Sequence, residues 1–328
     1  MSIIDLTGTH AAIPQGAAEL LRVCWHEAVD QVDPSAPAPP LGLPALRRAL
    51  GELVADSPEN IVVTGGVRAA VAVLGRRLAH TMVETPTFED IPALMRSLGH
   101  RVERRPWDRF TAGPGVAAWV THPARNPDGA SLPDSTLTDL LDGGWETVVI
   151  NETYRHHAKP CSGPAPPECF IVGSLSKLIG TGTRIGWIRG VRAAELPTPS
   201  LRVSGPPMVA QWAWAAYLSR GGAALLEPVH RGAEEARDAF RATAGASLVE
   251  QNTSEGPSLL ALLPKGLYAE EVISKLAAEG VSVGAGHDFG SPDPSLRLCF
   301  TGITKADAEE AGSRFRPVLI RRPRRRAS

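Results

Sequence analysis

One lysine stands out in the segment FIVGSLSKLIGTGTRIGW, residues 170–187, because this chain uses very little lysine. Its 328 residues include five lysines and 29 arginines, so a site that needed only a positive charge would be expected to hold arginine. A guanidinium stays protonated in proteins, whereas a lysine amine loses its proton once burial and nearby cations lower its pKa. A neutral amine condenses with an aldehyde, and a guanidinium does not. Lys177 is therefore a candidate for chemistry that requires a free amine.

Further polar and aromatic residues follow short apolar runs, such as those within ENIVVTGG and WETVVINETY, that alternate with segments of helical period. That alternation predicts an α/β fold with a mainly parallel sheet covered by helices on both faces. In such a sheet, functional residues lie at the carboxyl ends of the strands and face one crevice. The residues at those ends, in chain order, are Gly65, Gly66, Phe88, Asn126, Asn151, Tyr154, Ser174, Ser176 and Lys177.

The pattern changes near residue 208, where two long helical segments precede short strands near 258–263, 281–284 and 295–300. This change predicts a smaller α+β domain that follows a large α/β domain. The predicted organisation is an N-terminal segment at 1–40, a large domain at 41–205, a small domain at 206–320 and a basic disordered tail at 321–328.

Composition narrows the class of protein further. The net charge is −1, which argues against nucleic acid or an anionic membrane as the main partner. The four cysteines form no pair with zinc spacing, so we expect no metal site and a reducing compartment. The N-terminus lacks the features of a signal peptide, and no apolar run is long enough to span a membrane. We therefore expect a cytoplasmic protein.

Together these residues resemble the fold-type I enzymes that use pyridoxal 5′-phosphate (PLP), in particular the class I/II aminotransferases. The resemblance extends from about residue 42 to about residue 300. It implies a large PLP-binding domain, a smaller C-terminal domain, an amino-acid substrate and a homodimer. Within the family, the segments NPDG and LRVSGPP resemble the histidinol-phosphate aminotransferase and threonine-phosphate decarboxylase branch.

The segment SLSKLIGTGTRIG is similar to the family's Ser-x-Ser-Lys motif followed by Arg-x-Gly. By this resemblance Lys177 forms the Schiff base with PLP and then moves the substrate Cα proton as a general base. Arg184 and the Ser174 hydroxyl would bind the cofactor phosphate, and Ser176 belongs to the same motif.

The segment VVTGGVRAA resembles the family's phosphate cup. The backbone N–H groups of Gly66, Val67 and Arg68 would face the phosphate at the N-terminus of a helix, where such groups have no partner within the helix. The segment ETPTFED resembles the family's Pro-x-aromatic motif, which implies that Phe88 stacks on the pyridine ring.

The resemblance also implies functional roles for four further residues. Asn126, in an Asn-Pro-x-Gly turn, and Tyr154 would donate to the phenolic oxygen of PLP. Arg297, in the segment SLRLCF, would bind the substrate α-carboxylate. His10 would lie near the substrate, because the N-terminal segment of the family folds over the pocket.

The main departure from the family is Asn151, which stands where the family has an aspartate that keeps the pyridine nitrogen protonated. A protonated ring is the electron sink of PLP chemistry, and a neutral amide cannot stabilise that cation. Glu152 is not expected to take over this task, because neighbouring strand residues point to opposite faces. A second departure is the segment DPSAPAPPLGLPALR, which has alanine and proline where the family often has a tyrosine that reaches the neighbouring subunit's phosphate, and this weakens the dimer inference. Asp128 also stands where threonine is more usual.

Three functions are therefore open at this point. The leading interpretation is a PLP-dependent aminotransferase that acts on an amino acid. Asn151 favours the alternative, a PLP enzyme of another reaction class such as a decarboxylase, an eliminating or cyclising enzyme, or an oxidase. The third is a PLP-binding regulator without catalysis, although residues 1–40 leave no room for a winged-helix domain.

Overall fold

The computed structural model describes residues 3–8, 13–33, 35–157, 166–197, 200–201, 205–250, 255–291 and 294–319. His10 and the basic tail at 321–328 lie outside these ranges, so the predictions made for them stay predictions. None of the helices within these ranges combines the length and the apolar character needed to span a bilayer.

The helices and strands are numbered here in chain order. The strands are β1 (Ile4–Asp5), β2 (Ile61–Thr64), β3 (His80–Glu84), β4 (Arg101–Arg105), β5 (Ala117–Thr121), β6 (Thr147–Asn151), β7 (Cys169–Ser174), β8 (Gly186–Arg189), β9 (Val249–Glu250), β10 (Ser258–Leu262), β11 (Val281–Ser282), β12 (Gly284–Ala285) and β13 (Ser295–Cys299). The helices are α1 (Gln15–Gln31), α2 (Pro44–Val54), α3 (Val67–Leu74), α4 (Asp90–Ser97), α5 (Asp134–Asp142), α6 (Met208–Ser219), α7 (Glu227–Ala244), α8 (Ala269–Ala278) and α9 (Lys305–Leu319).

A seven-stranded sheet forms the centre of the large domain, in the order β2-β8-β7-β6-β5-β3-β4. Five neighbouring strands, β4, β3, β5, β6 and β7, are parallel, and β8 runs antiparallel to both of its neighbours, β2 and β7. The α/β fold with a mainly parallel sheet is thus confirmed. The direction of β8 does not follow from its four-residue sequence, because an apolar run reads the same in either direction.

Helices cover this sheet on both faces. On one face α3 and α4 pack on the sheet through apolar side chains such as Val73 and Met95. On the other face α1, α2 and α6 pack around Trp187 of β8, and Trp214 of α6 belongs to this cluster. The predicted domain boundary near residue 206 stays a prediction, although α6, which follows it, packs in this layer of the large sheet.

A second, four-stranded antiparallel sheet has the order β12-β13-β10-β9. Its core contains Phe240, Phe300 and Phe315, which connect α7 and α9 to the sheet. Strand β1 pairs in parallel with β11, and Thr7 forms a bridge with Cys299 of β13. The start of the chain is therefore held against the same sheet that carries Arg297.

Candidate active site

A cavity opens at the carboxyl edge of the seven-stranded sheet. The sequence placed eleven residues against the cofactor, and the structure brings all of them to this cavity: Gly66, Val67, Arg68, Phe88, Asn126, Asn151, Tyr154, Ser174, Ser176, Lys177 and Arg184. Five other lining residues were not predicted from the sequence: Thr87, Ile91, Trp119, Thr121 and Thr153. One signal could have identified Thr121, because it ends β5 directly opposite Asn151 of β6.

One end of the cavity is a cradle for an anion. Helix α3 begins at Gly66, whose φ of 102° suits glycine, so the N–H groups of its first turn are available to an anion. The Ser174 hydroxyl accepts a hydrogen bond from the Ser176 N–H at 3.1 Å. Arg184 has a φ of 50°, an uncommon conformation for a residue with a side chain. The N–H groups of this first turn and the Arg184 guanidinium have the chemistry that a phosphate group needs.

Gly186 allows the strands that carry this cradle to approach closely. It lies between Thr64 of β2 and Ser174 of β7 in the register of the sheet. A Cβ atom at residue 186 would lie 2.6 Å from the Cα of Gly66, so any larger side chain would push the cradle apart.

The Lys177 amine lies 5.6 Å from the centre of the Tyr154 ring. Tyr154 has the largest effect and raises the pKa of Lys177, and Cys299 raises this pKa as well. Burial and the cation Arg297 do lower the pKa of Lys177, as expected, but Tyr154 and Cys299 outweigh them, so the net shift of this pKa in the protein alone is upward.

Asn151 and Glu152 point in different directions, as the strand geometry predicts. Asn151 lines the cavity. Glu152 is buried, where it accepts hydrogen bonds from Trp187 at 2.8 Å and from Arg155 at 2.6 Å and forms an ion pair with Arg189. Glu152 therefore stabilises the interior of the sheet and does not replace the missing aspartate.

The loop that presents Asn126 is held by a buried ion cluster. Arg125 donates two hydrogen bonds to Asp128, at 2.9 and 2.5 Å, and its guanidinium lies 4.0 Å from the centre of the Trp107 ring. This contact explains Asp128, which stands where threonine is more usual in the family. The side-chain oxygen of Asn126 is buried and has no hydrogen-bond partner within the described ranges, which fits a polar ligand in the cavity.

Glu84 lies next to Arg125 in this ion cluster, and its burial predicts that the stability of the protein depends on pH. Burial raises the pKa of Glu84 to about 7, while Arg125 and hydrogen bonds from Thr121 and Trp107 oppose that rise. A carboxyl whose pKa is raised in the folded state stabilises the protein below its unfolded pKa, and this stabilisation is lost as the pH rises to 7. Relative to Glu84→Gln, the wild type should lose about 2 kcal/mol of unfolding free energy between pH 5 and pH 8. Urea denaturation at both pH values measures this difference, and parallel changes in the two proteins would contradict it.

Arg297 lies on β13 of the smaller sheet, outside the lining of the cavity but close enough to act on Lys177. One of its terminal nitrogens donates to the carbonyl of Thr7 at 2.8 Å, and its guanidinium lies 4.7 Å from the centre of the Phe289 ring. Its Nε is buried and has no hydrogen-bond partner among the described residues. The Nε of Arg297 therefore keeps an unused capacity to donate a hydrogen bond.

Three histidines next to Tyr154 were not recognised in the sequence. His157 and His230 approach each other at 3.3 Å through ring nitrogens, and His156 stacks on His230. Burial lowers the pKa of His156 to about 3 and that of His230 to about 4, so both are neutral at pH 7. They connect the end of β6 to helix α7. Within the described ranges, no group of three or more metal-ligating side chains could hold a metal ion.

The fold, the anion cradle and the lysine at the carboxyl edge of the sheet define a PLP-dependent enzyme of fold type I. The family model for aminotransferases of class I and II matches residues 28–315, and the chain belongs to this family. It is a transferase, and its cofactor is PLP.

Known proteins agree with this assignment. The chain is 28% identical to the aspartate/prephenate aminotransferase of Thermus thermophilus over 331 residues, which cover 87% of this chain and 83% of the relative. The structure of T. thermophilus aspartate aminotransferase with maleate superposes with a TM-score of 0.80 at 23% identity, over 97% of this chain and 92% of that chain. The structure of an α-aminoadipate aminotransferase from T. thermophilus, complexed with N-(5′-phosphopyridoxyl)-L-leucine, superposes with a TM-score of 0.79 at 19% identity, over 97% of this chain and 92% of that chain. At these identities the two structures support the fold.

Proposed function

We propose that this enzyme transfers the amino group of an α-amino acid to a keto acid, with Lys177 as the residue that binds the cofactor covalently and moves the Cα proton. The observation that supports this proposal is a half-buried lysine in the same cavity as the anion cradle, close to an arginine whose Nε has no hydrogen-bond partner among the described residues. Family membership favours transamination over the other reaction classes.

The residues of the cavity fit PLP in their chemistry. The cofactor supplies an aldehyde for condensation with amines and a conjugated ring that withdraws electrons from the substrate Cα. The N–H groups of Gly66, Val67 and Arg68, with Ser174, Ser176 and Arg184, would hold the phosphate. Phe88 would cover one face of the ring, and Asn126 and Tyr154 would donate to its phenolic oxygen.

Lys177 has two tasks in this proposal. Its amine would hold the cofactor, and as a general base it would carry the proton that the substrate Cα gives up. The Lys177 ammonium must lose its proton before the amine can attack, and the raised pKa of Lys177, to which Tyr154 contributes most, opposes that loss. We infer that Tyr154, whose ring lies beside the amine, influences when the Lys177 ammonium releases its proton.

Arg297 would bind the α-carboxylate through its unpaired Nε edge, since guanidinium and carboxylate match as bidentate partners. His10 would approach the substrate from the N-terminal segment. The names of the relatives make aspartate and prephenate the first amino donors and acceptors to test. The resemblance of two segments to the histidinol-phosphate branch adds histidinol phosphate to that panel.

We also propose a homodimer and a cytoplasmic location. Helix α1 exposes Val23 and Val29, with 49% and 66% of their surface accessible, and a partner subunit would cover such apolar side chains. The location rests on the sequence features described above.

A single-turnover experiment tests the proposed reaction. The PLP-loaded enzyme is mixed with each amino acid of the panel, without any keto acid. We expect the cofactor to be converted to pyridoxamine phosphate, with one keto acid formed per site. If instead the amino acid is consumed while the original cofactor form returns, the enzyme belongs to another reaction class, which Asn151 would favour.

A further inference from the structure

The amide of Asn151 has a defined orientation. Its Oδ1 accepts a hydrogen bond from the backbone N–H of Thr153 at 3.2 Å and a second, short one from the Thr153 hydroxyl. A backbone N–H can only donate, so the atom that faces it has to be the amide oxygen. The Nδ2 group therefore points away from Thr153.

The Nδ2 group of Asn151 is left as a free donor. It has no hydrogen-bond partner among the described residues, and the Asn151 side chain lines the cavity. Thr153, two residues further along, thus decides which end of the amide a ligand meets. With a donor instead of an acceptor at this point, the site favours a ligand atom that carries a lone pair.

The charges around the cavity also favour a ligand atom that carries a lone pair and no proton. No aspartate or glutamate of the described residues lines it, whereas Arg68, Lys177 and Arg184 do. A nearby positive charge disfavours the protonation of a neutral nitrogen. The carboxylate of Glu152 is engaged with Trp187 and Arg189 in the interior.

We propose that Asn151 holds the ring nitrogen of the cofactor unprotonated by donating to it through Nδ2, and that Thr153 is the positioning residue that sets this orientation. This inference rests on the proposed function, because it requires PLP in the cavity. It makes the site a PLP site with a neutral pyridine ring, in contrast to sites in which a carboxylate keeps the ring protonated.

The experiment uses PLP that carries ¹⁵N in the ring, bound to the full-length protein and observed by NMR near neutral pH. Free labelled PLP at high and at low pH provides the reference shifts for the unprotonated and the protonated ring. We expect the wild type to match the unprotonated reference and Asn151→Asp to move to the protonated one. A protonated ring in the wild type would overturn the proposal.

Two variants at residue 153 test the positioning role. Thr153→Val keeps the shape and the backbone N–H but removes the hydroxyl, and should weaken PLP binding about fivefold, the effect of one net hydrogen bond. It should also shift the ¹⁵N resonance, because the amide is held less firmly. Thr153→Ser keeps the hydroxyl and should restore both values. Equal affinity and equal shift in Thr153→Val and the wild type would exclude this role.

The same samples separate this inference from the proposed function. Reduction with borohydride should attach PLP to Lys177 in the wild type and in the variants of residues 151 and 153. Absence of PLP from Lys177 would overturn the proposed function itself. PLP attached to Lys177 with a protonated ring would overturn only the role of Asn151 and Thr153.

Discussion

Lys177→Ala should lower the rate of amino-group transfer by a factor of about 10⁴ or more, since it removes both the covalent attachment and the general base. The effect should appear in single-turnover kinetics with saturating amino acid, where substrate binding does not contribute. The variant should still bind PLP, because the phosphate cradle around Gly66, Ser174 and Arg184 is unchanged. Borohydride reduction followed by peptide mapping should then find no PLP attached to the chain at residue 177.

Two further variants show whether the amine itself is required. Lys177→Arg keeps a positive charge but cannot supply a neutral amine, so it should be as inactive as Lys177→Ala. Lys275→Ala removes an exposed lysine of α8 that pairs with Glu271, and should keep full activity. If Lys177→Arg retained a substantial rate, the role of this residue would be electrostatic.

Arg297→Ala should lower kcat/KM for α-amino acids by about 10² to 10³, the effect of removing one partner of a buried, hydrogen-bonded charge pair. The reason is the position of the guanidinium, which belongs to a residue only 9% exposed and keeps an unpaired Nε among the described residues. Arg297→Lys should recover only part of the loss, because an ammonium cannot form the two parallel hydrogen bonds of a guanidinium.

An amine without a carboxylate provides the control for this prediction. If Arg297 binds the α-carboxylate, the slow reaction of such an amine should be the same in Arg297→Ala and the wild type. An equal loss for amine and amino acid would instead indicate a structural role, through the contact with the carbonyl of Thr7. Thermal unfolding of both proteins would then show a matching loss of stability.

The chemical identity of the site follows to a large extent from local sequence. Apolar runs such as Thr147–Asn151 identify buried strands, and the polar residues that follow them lie at strand ends. Because parallel strands end at the same edge of a sheet, these residues had to meet, and eight of the nine strand-end residues, all except Gly65, line the cavity. The preference for lysine over arginine at residue 177 marked the one amine among them.

The tertiary structure alone decided the properties that depend on residues distant in the sequence. Strand β8 runs antiparallel between β2 and β7, although nothing in its apolar pattern indicates a direction. The pKa of Lys177 is raised rather than lowered, because Tyr154, which follows β6 of the large sheet, and Cys299, in β13 of the smaller sheet, outweigh burial and Arg297.

Asp128 and Asn151 show, at single residues, the difference between what the sequence determines and what the folded structure decides. The sequence marked both as departures from the family, but only the folded chain shows Asp128 paired with Arg125 and the amide of Asn151 turned by Thr153. Residue type and strand position are local properties, so the sequence by itself determined which groups reach the site. Electrostatic environment and hydrogen-bond orientation depend on distances between side chains, and these exist only once the chain has folded.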